Sequence, residues 1–316
     1  MNVSRVIPFI AAADYLHTEA WIQALQAAMP GERIVPLAAL NEQQRSMVDV
    51  AIVANPDPAA LRGLPSLRWV HSVWAGVERL LADLRDMPLH IVRLVDPQLA
   101  ATMAEAVLAW TLYLHRDMPL YASQQKQRVW RSAEYVRPQR KVVSMLGLGA
   151  LGEAAAKVLL QQGFQVRGWS RTPKTLDGVR CFSGEDGLQA MLIDTDMLVC
   201  LLPLTPATQG LLNAQRLAWL PATASLINFA RGAIIDDDAL HARLDQQLLK
   251  HAVLDVFAVE PLPPDSWHWA HPSVTVLPHC SGPTDRQAAA DIVAANILRY
   301  RQDGHLPPGV DRQRGY

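Results

Sequence analysis

Across residues 141–160 the chain reads KVVSMLGLGALGEAAAKVLL. A short apolar run, residues 141–146, stops at Gly147, and an alanine-rich run of helical period begins at Glu153. Between them Gly147, Gly149 and Gly152 form the pattern G-x-G-x-x-G, with Ala150 and Leu151 completing the loop. The first glycine permits a tight turn, the second lets backbone approach a pyrophosphate, and the third lets helix and strand pack closely. The helix N-terminus then presents its N–H groups to the phosphates. Glycine triplets at this spacing also occur in ordinary turns. The strand before and the helix after are what make the stretch read as a dinucleotide loop.

Working outward, β-like runs precede the loop at residues 5–11, 33–37, 49–54, 67–73 and 90–94, with helical stretches at 18–28 and 58–61. Such alternation predicts a parallel sheet covered on both faces. A long helix over residues 100–114 is expected to carry the chain into a second sheet. Strands at 142–146, 165–170, 197–202, 224–230, 252–257 and 274–277 make six, the count of a full doubly wound dinucleotide sheet. A last helix, 285–301, follows all of them and is expected to return to the first domain. The fold class is therefore α/β with two doubly wound parallel-sheet domains. Residues 1–98, completed by 285–316, form the expected substrate domain, and 99–284 the dinucleotide-binding domain. Residues 304–316 read as an irregular tail.

The bulk properties agree with two soluble domains. The chain has 316 residues, half of them hydrophobic, and a formal net charge of -1. No field is present that would favour nucleic acid or an anionic membrane. Cys181, Cys200 and Cys280 show no C-x-x-C spacing, so neither a disulfide framework nor a zinc knuckle is expected, and a reducing cytoplasm fits. The run after Arg5 is interrupted by Pro8 and followed by Asp14, which favours a first strand over a secretion signal. No segment reaches the ~18 consecutive apolar residues of a membrane span. His268, His271 and His279 lack the spacing and accompanying ligands of a metal cage, so no metal is expected.

In NAD sites an acidic residue about twenty positions past the loop binds the ribose 2′-hydroxyl. Here Trp169, Ser170 and Arg171 occupy that place. A carboxylate would repel a 2′-phosphate, whereas Arg171 can pair with it, Ser170 can donate a hydrogen bond and Lys174 can add a third contact. The plain alternative is that Arg171 and Lys174 are solvated loop charges. Their position after the loop favours NADPH over NADH.

Three polar side chains stand at or beyond the C-terminal ends of expected strands, where ligands bind in open α/β sheets. They are Arg231, Glu260 and His279. Singly, each has an ordinary explanation as a cap, a solvated charge or a structural histidine. Together they supply a reaction. Hydride transfer to a carbonyl leaves negative charge on oxygen that must receive a proton, and His279 suits that transfer near neutral pH. A carboxylate such as Glu260 on the far ring nitrogen would orient the imidazole and favour its protonated form. Arg231 offers a fixed positive fork to a substrate carboxylate and the adjacent carbonyl oxygen.

Five motifs resemble, in order and over nearly the whole chain, the D-2-hydroxyacid dehydrogenase family. They are the GLGALG loop, Leu202-Pro203-Leu204-Thr205-Pro206-x-Thr208, NFARG, DVFAVEPLP and the final PH. Within that family the WSR after the second strand and the ending VDRQRGY are similar to a bacterial branch of glyoxylate and hydroxypyruvate reductases. The resemblance implies a Rossmann-type dinucleotide domain, a flavodoxin-like substrate domain and NADPH-dependent reduction of glyoxylate to glycolate and hydroxypyruvate to D-glycerate. It implies that Arg231, Glu260 and His279 are catalytic and that Pro203, Thr208, Ala230 and Asp255 line the cofactor. It further implies that Trp74, Ala75 and Gly76 bind substrate, holding its carboxylate through backbone N–H groups. Read without the resemblance, Trp74 is packing and Asp255 a buried structural acid. A homodimer is expected, from the family and from the apolar stretch 106–121. Trp74 and Cys280 depart from common family choices, and Cys280 is expected to be a packed small hydrophobe rather than an oxidation-sensitive thiol. The competing readings are another D-2-hydroxyacid dehydrogenase and a non-enzymatic dinucleotide sensor, since the fold also serves corepressors.

Overall fold

Among the described residues twelve short strands build two parallel sheets, and the residues of the central strands alternate between two buried faces. The structure, a computed structural model, describes residues 6–312. Arg5, where the first strand was expected to begin, and residues 313–316 of the tail lie outside the described residues. The chain divides into two compact units, residues 1–97 with 284–316, and residues 98–283.

The first unit contains β1 (Val6–Ala11), β2 (Arg33–Pro36), β3 (Val50–Ala54), β4 (Trp69–Ser72) and β5 (His90–Val92) in the order β2-β1-β3-β4-β5, all parallel. That is the flavodoxin-like order. Every residue of β3 is buried, as a central strand covered on both faces requires. One face takes Ile7, Phe9, Val50 and Ile52 against Trp21 and Leu25 of the helix Thr18–Ala28 and Val293 and Ile297 of the helix Arg286–Asp303. The other takes Ile10, Ala51 and Val53 against Leu61, Leu80 and Leu84. Each such side chain, fully removed from water, contributes about 1.5–3 kcal/mol before the entropy of ordering it is subtracted. Asp285, expected as the first residue of the last helix, is its cap, accepting a hydrogen bond from the Ala288 N–H at 2.8 Å.

The second unit contains β6 (Val142–Leu146), β7 (Gln165–Ser170), β8 (Arg180–Ser183), β9 (Met197–Cys200), β10 (Ser225–Asn228), β11 (His251–Leu254) and β12 (Val274–Val276). They run parallel in the order β12-β11-β10-β9-β6-β7-β8. The doubly wound class expected from sequence is present in both units. The strand count needs correction, because the sheet has seven strands. β8 completes the six-stranded core, and β12, counted as the sixth, is an additional edge. β8 escaped notice because RCFS carries no apolar alternation and none of its residues is buried. The helix Pro97–His115 is longer than expected and packs Met103, Val107 and Leu114 with Val143, Met145 and Ala155. The apolar stretch 106–121 is not one element. It breaks at Asp117, whose backbone is left-handed at φ 53°, and a second helix, Met118–Gln127, begins.

Chain order reverses between β6 and β9, and at such a switch point the loops leaving the strand ends part to form a crevice. The loops after β6 and β9 carry the glycine pattern and the Leu202–Thr208 motif. Among the described residues no helix is long and apolar enough to cross a membrane.

Candidate active site

The glycine loop is shaped by contacts that a side chain would destroy. Gly147 has φ +104°, and a Cβ there would come within 3.0 Å of the Leu201 carbonyl oxygen in the loop after β9. A Cβ on Gly152 would lie 2.0 Å from the Gly147 carbonyl oxygen. The loop therefore folds back onto the first turn of the helix Ala150–Gln161. Gly149 is the cap residue of that helix, no side chain accepts its first N–H groups, and a Cβ at Gly149 would meet nothing within 4 Å. The N–H groups of the first turn, those of Ala150 and Leu151 included, have no intrahelical carbonyl to bond. Uncapped donors at the positive end of a helix dipole fit a pyrophosphate, so the residues present suit a dinucleotide.

Across the switch point, the Thr208 hydroxyl donates to the Pro203 carbonyl at 2.6 Å and accepts from the Thr205 N–H at 2.8 Å. It shapes its own loop. At the end of β7, Ser170 donates its hydroxyl to the Thr172 carbonyl at 2.8 Å, and Arg171 is exposed. Lys174 donates to the Leu148 carbonyl at 2.5 Å and pairs with Glu153 at 3.2 Å, so it already bridges the glycine loop to its helix.

β10, β11 and β12 are neighbours, and the chain leaving each of them supplies one of the three candidate side chains. Arg231 follows β10 in extended backbone, φ -144° and ψ 143°. Asn228, buried at the strand end, accepts from the Ala230 N–H and donates to the Arg231 carbonyl, both at 3.1 Å. The buried Ala230 offers its carbonyl to an Arg231 N–H at 2.6 Å. Gly232 is pressed so close to the next loop that a Cβ would lie 2.0 Å from the Phe257 carbonyl carbon.

Glu260 uses both oxygens. Oε1 accepts the Phe257 N–H at 2.8 Å, and Oε2 accepts Nδ1–H of His279 at 2.8 Å. A carboxylate only accepts, so the proton on Nδ1 is fixed and Nε2 is left to carry the exchangeable one. The hydrogen bond that His279 donates to Glu260 is the main cause that raises the His279 pKa above its ordinary value. Burial opposes it, the Glu260 charge adds to it, and the charges of Arg231 and Asp255 act in opposite directions. Burial pushes the Glu260 carboxyl up, but the hydrogen bonds from His279 and Phe257, with the charges of His279 and Arg231, hold it below the usual range. Both shifts favour the carboxylate and the imidazolium. Half of the His279 side chain remains exposed.

The backbone of His279 is left-handed, φ 52°, a conformation that costs about 1–3 kcal/mol and persists only where its surroundings impose it. Asp255 imposes it. The Asp255 carbonyl accepts the His279 N–H at 2.9 Å, while its carboxylate accepts the N–H groups of Cys280 at 2.7 Å and Ser281 at 2.9 Å. Asp255 is thus a buried acid that shapes the histidine loop, a role the sequence left as its plain alternative. Cys280 corrects an expectation: it is exposed, not packed. Burial of the sulfur and the neighbouring Asp255 push its thiol pKa up, which keeps it protonated. Sequence reasoning missed Asn228 and Gly232 as positioning residues, although both lie in or beside the NFARG motif. Their signal is contact, which a linear pattern does not carry.

Trp74, Ala75 and Gly76 lie in the first unit. The Trp74 N–H donates to the Ser72 hydroxyl at 3.0 Å, and its carbonyl accepts the Leu94 N–H at 3.0 Å. Its ring meets Tyr15 and Trp21 edge-on, at 6.0 and 5.9 Å between centroids. The packing read for Trp74 from sequence is present.

The model of the D-isomer specific 2-hydroxyacid dehydrogenase NAD-binding domain matches residues 108–281. Glyoxylate/hydroxypyruvate reductase A of Yersinia enterocolitica is 37% identical over 323 residues, covering 100% of this chain and 100% of that protein. A D-isomer specific 2-hydroxyacid dehydrogenase from Xanthobacter autotrophicus Py2, crystallised with NADPH and MES, superposes with a TM-score of 0.90 at 39% identity, over 98% of this chain and 99% of that one. An NADPH-dependent glyoxylate/hydroxypyruvate reductase from Sinorhizobium meliloti, in complex with NADP and sulfate, gives 0.89 at 34% identity, over 98% and 100%.

Proposed function

This chain belongs to the D-isomer specific 2-hydroxyacid dehydrogenase family, and we propose that it reduces small 2-oxo acids with NADPH, glyoxylate to glycolate and hydroxypyruvate to D-glycerate. The observation that carries the reading is the Glu260–His279 hydrogen bond formed within the field of Arg231. Two full-length relatives named as glyoxylate/hydroxypyruvate reductases support the substrate class. A relative bound to NADPH and another bound to NADP support the cofactor.

NADPH supplies the hydride, and the protein supplies orientation, charge and a proton. His279 gives its Nε2 proton to the oxygen that becomes the hydroxyl. Glu260 holds the ring in the required tautomer and stabilises its charged form. Arg231 bears a permanent positive charge that holds the substrate carboxylate and balances charge growing on the carbonyl oxygen. The N–H groups of Ala75 and Gly76, beside Trp74, are assigned the rest of that carboxylate. Gly147, Gly149, Ala150, Leu151 and Gly152 take the pyrophosphate, and Ser170 and Arg171 the 2′-phosphate. Lys174 joins them by exchanging Glu153 for phosphate. Pro203, Thr208, Ala230 and Asp255 would line the cofactor. A homodimer in the cytoplasm completes the proposal.

The test follows absorbance at the nicotinamide band with a panel of 2-oxo acids and both reduced cofactors. Turnover of glyoxylate and hydroxypyruvate with NADPH well ahead of NADH is expected. Preference for NADH would overturn the cofactor assignment. Turnover confined to other 2-oxo acids would point to another dehydrogenase of the family, and none at all to a dinucleotide sensor.

A further inference from the structure

A polar cluster with no part in the chemistry joins the segment after Arg231 to the segment after Glu260. His268, in the short turn Trp267–Trp269, is buried at 5% exposure, and both its nitrogens are bonded. Nε2 lies 2.9 Å from Oδ1 of Asp237, the first residue of the helix Asp237–Asp245, and Nδ1 lies 2.7 Å from the Ser266 hydroxyl. Because the carboxylate only accepts, Nε2–H donates to Asp237, and in the neutral ring Nδ1 accepts from Ser266. The Trp267 indole N–H donates to the second Asp237 oxygen at 3.1 Å. The Trp267 ring is stacked between His268 at 3.9 Å and His241 at 4.0 Å.

The contact that matters to the site is on the other side of His268. Its ring meets Phe257 edge-on at 5.1 Å, and Phe257 is the residue whose N–H holds Oε1 of Glu260. The backbone of Phe257 and Ala258 is also what Gly232, next to Arg231, presses against. Phe257 is thus the hinge pin of both catalytic segments. A leucine at 268 would fill the volume, but only a side chain bonded to Asp237 is held in place against Phe257.

We propose that Asp237 and His268 form a positioning pair, which fixes Phe257 and so aims Glu260 at His279. The inference rests on reading Arg231, Glu260 and His279 as the catalytic set. The charged and titratable neighbours are few. His279 faces Glu260, Arg231 and Asp255, with Cys280 next in sequence. Around Trp267 stand His241 and His271, both within 3.4 Å of Asp245, with His251 and Lys250 beyond His271. Among the described residues no three of these groups are arranged to hold a metal ion.

The experiment titrates His279 by NMR in histidine-labelled protein, alongside the pH profile of glyoxylate reduction. In His268→Leu the Glu260 bond loosens, so the His279 midpoint should fall by about half a unit or more. The alkaline limb of the profile should follow it, with KM for NADPH within about twofold of the parent. His268→Gln keeps an N–H donor to Asp237 and should restore the parent titration. Should His268→Leu fail to fold, Asp237→Ala, at a half-exposed position, removes the same bond. An unmoved His279 midpoint, with only the melting temperature lowered, would overturn the positioning role. A parent protein that titrates as described yet reduces no 2-oxo acid would instead overturn the functional reading, so the two failures are distinguishable.

Discussion

Replacing Gly232 by alanine would put a methyl carbon 2.0 Å from the Phe257 carbonyl carbon and 2.3 Å from the Ala258 nitrogen. Real Cβ contacts essentially never fall below 3.0 Å. The obstacle is backbone, so no side-chain rotation relieves it, and the two loops must part by about 1 Å. That displacement separates Arg231 from Glu260 and His279, the groups proposed to act on one carbonyl. A misplacement of about 1 Å can cost on the order of 10²-fold in rate. Forced overpacking costs about 1–3 kcal/mol of stability, or a few degrees of melting temperature per kcal/mol. The assay is kcat/KM for glyoxylate with NADPH, together with a thermal melt and cofactor binding by fluorescence quenching. We expect a fall of about 10²-fold in kcat/KM, a melt lowered by several degrees and cofactor affinity within a few-fold of the parent, since the glycine loop lies after β6. A Gly232→Ala enzyme within threefold of parent activity, with an unchanged melt, would refute the claim that this contact sets the catalytic spacing.

Other substitutions probe single steps. His279→Ala should slow reduction by about 10²–10⁴-fold while sparing NADPH binding; loss of cofactor affinity instead would mark the histidine as structural. In Glu260→Gln the bond and charge that raise the His279 pKa are weakened. The protonated imidazole then persists only to a lower pH, and activity should fall more at pH 8 than at pH 6, whereas parallel profiles would remove Glu260 from that role. Arg171→Ala should raise KM for NADPH by roughly ten- to a hundred-fold, the worth of one charge-assisted phosphate contact, and leave KM for NADH unchanged; equal changes would show a solvated charge. Burial holds the His71 pKa at about 4, against its hydrogen bond to Ser72, and burial with the His271 and Lys250 charges holds His251 at about 4. Both folded values lie below the unfolded one of about 6.5, so the stability they contribute is full above that pH and is lost as pH falls towards 4. For His71 the loss is on the order of 3 kcal/mol, and a melting temperature that stays flat between pH 6.5 and 5 would contradict it.

Much of the architecture was legible because parallel strands covered on both faces are written as short apolar runs. Runs such as VAIVA in β3 and VVSML in β6 stand out against the amphipathic helices between them. β8 was invisible for the converse reason: an edge strand with no buried residue needs no apolar pattern, and RCFS has none.

Residue types and their order along the chain were enough to propose a glycine-turned phosphate loop and a basic residue where a ribose acid would stand, and to mark an arginine, a glutamate and a histidine after successive strands. Each of these is a local property, because a turn, a charge or a titrating ring is specified by the residue that carries it. Distances between segments are not local. That Oε2 of Glu260 takes Nδ1–H of His279, that Asp255 bends the histidine loop, and that Gly232 leaves room for Phe257 all arise where β10, β11 and β12 are laid side by side. Non-local packing sets those approaches to within an ångström, and no stretch of the chain read alone contains them.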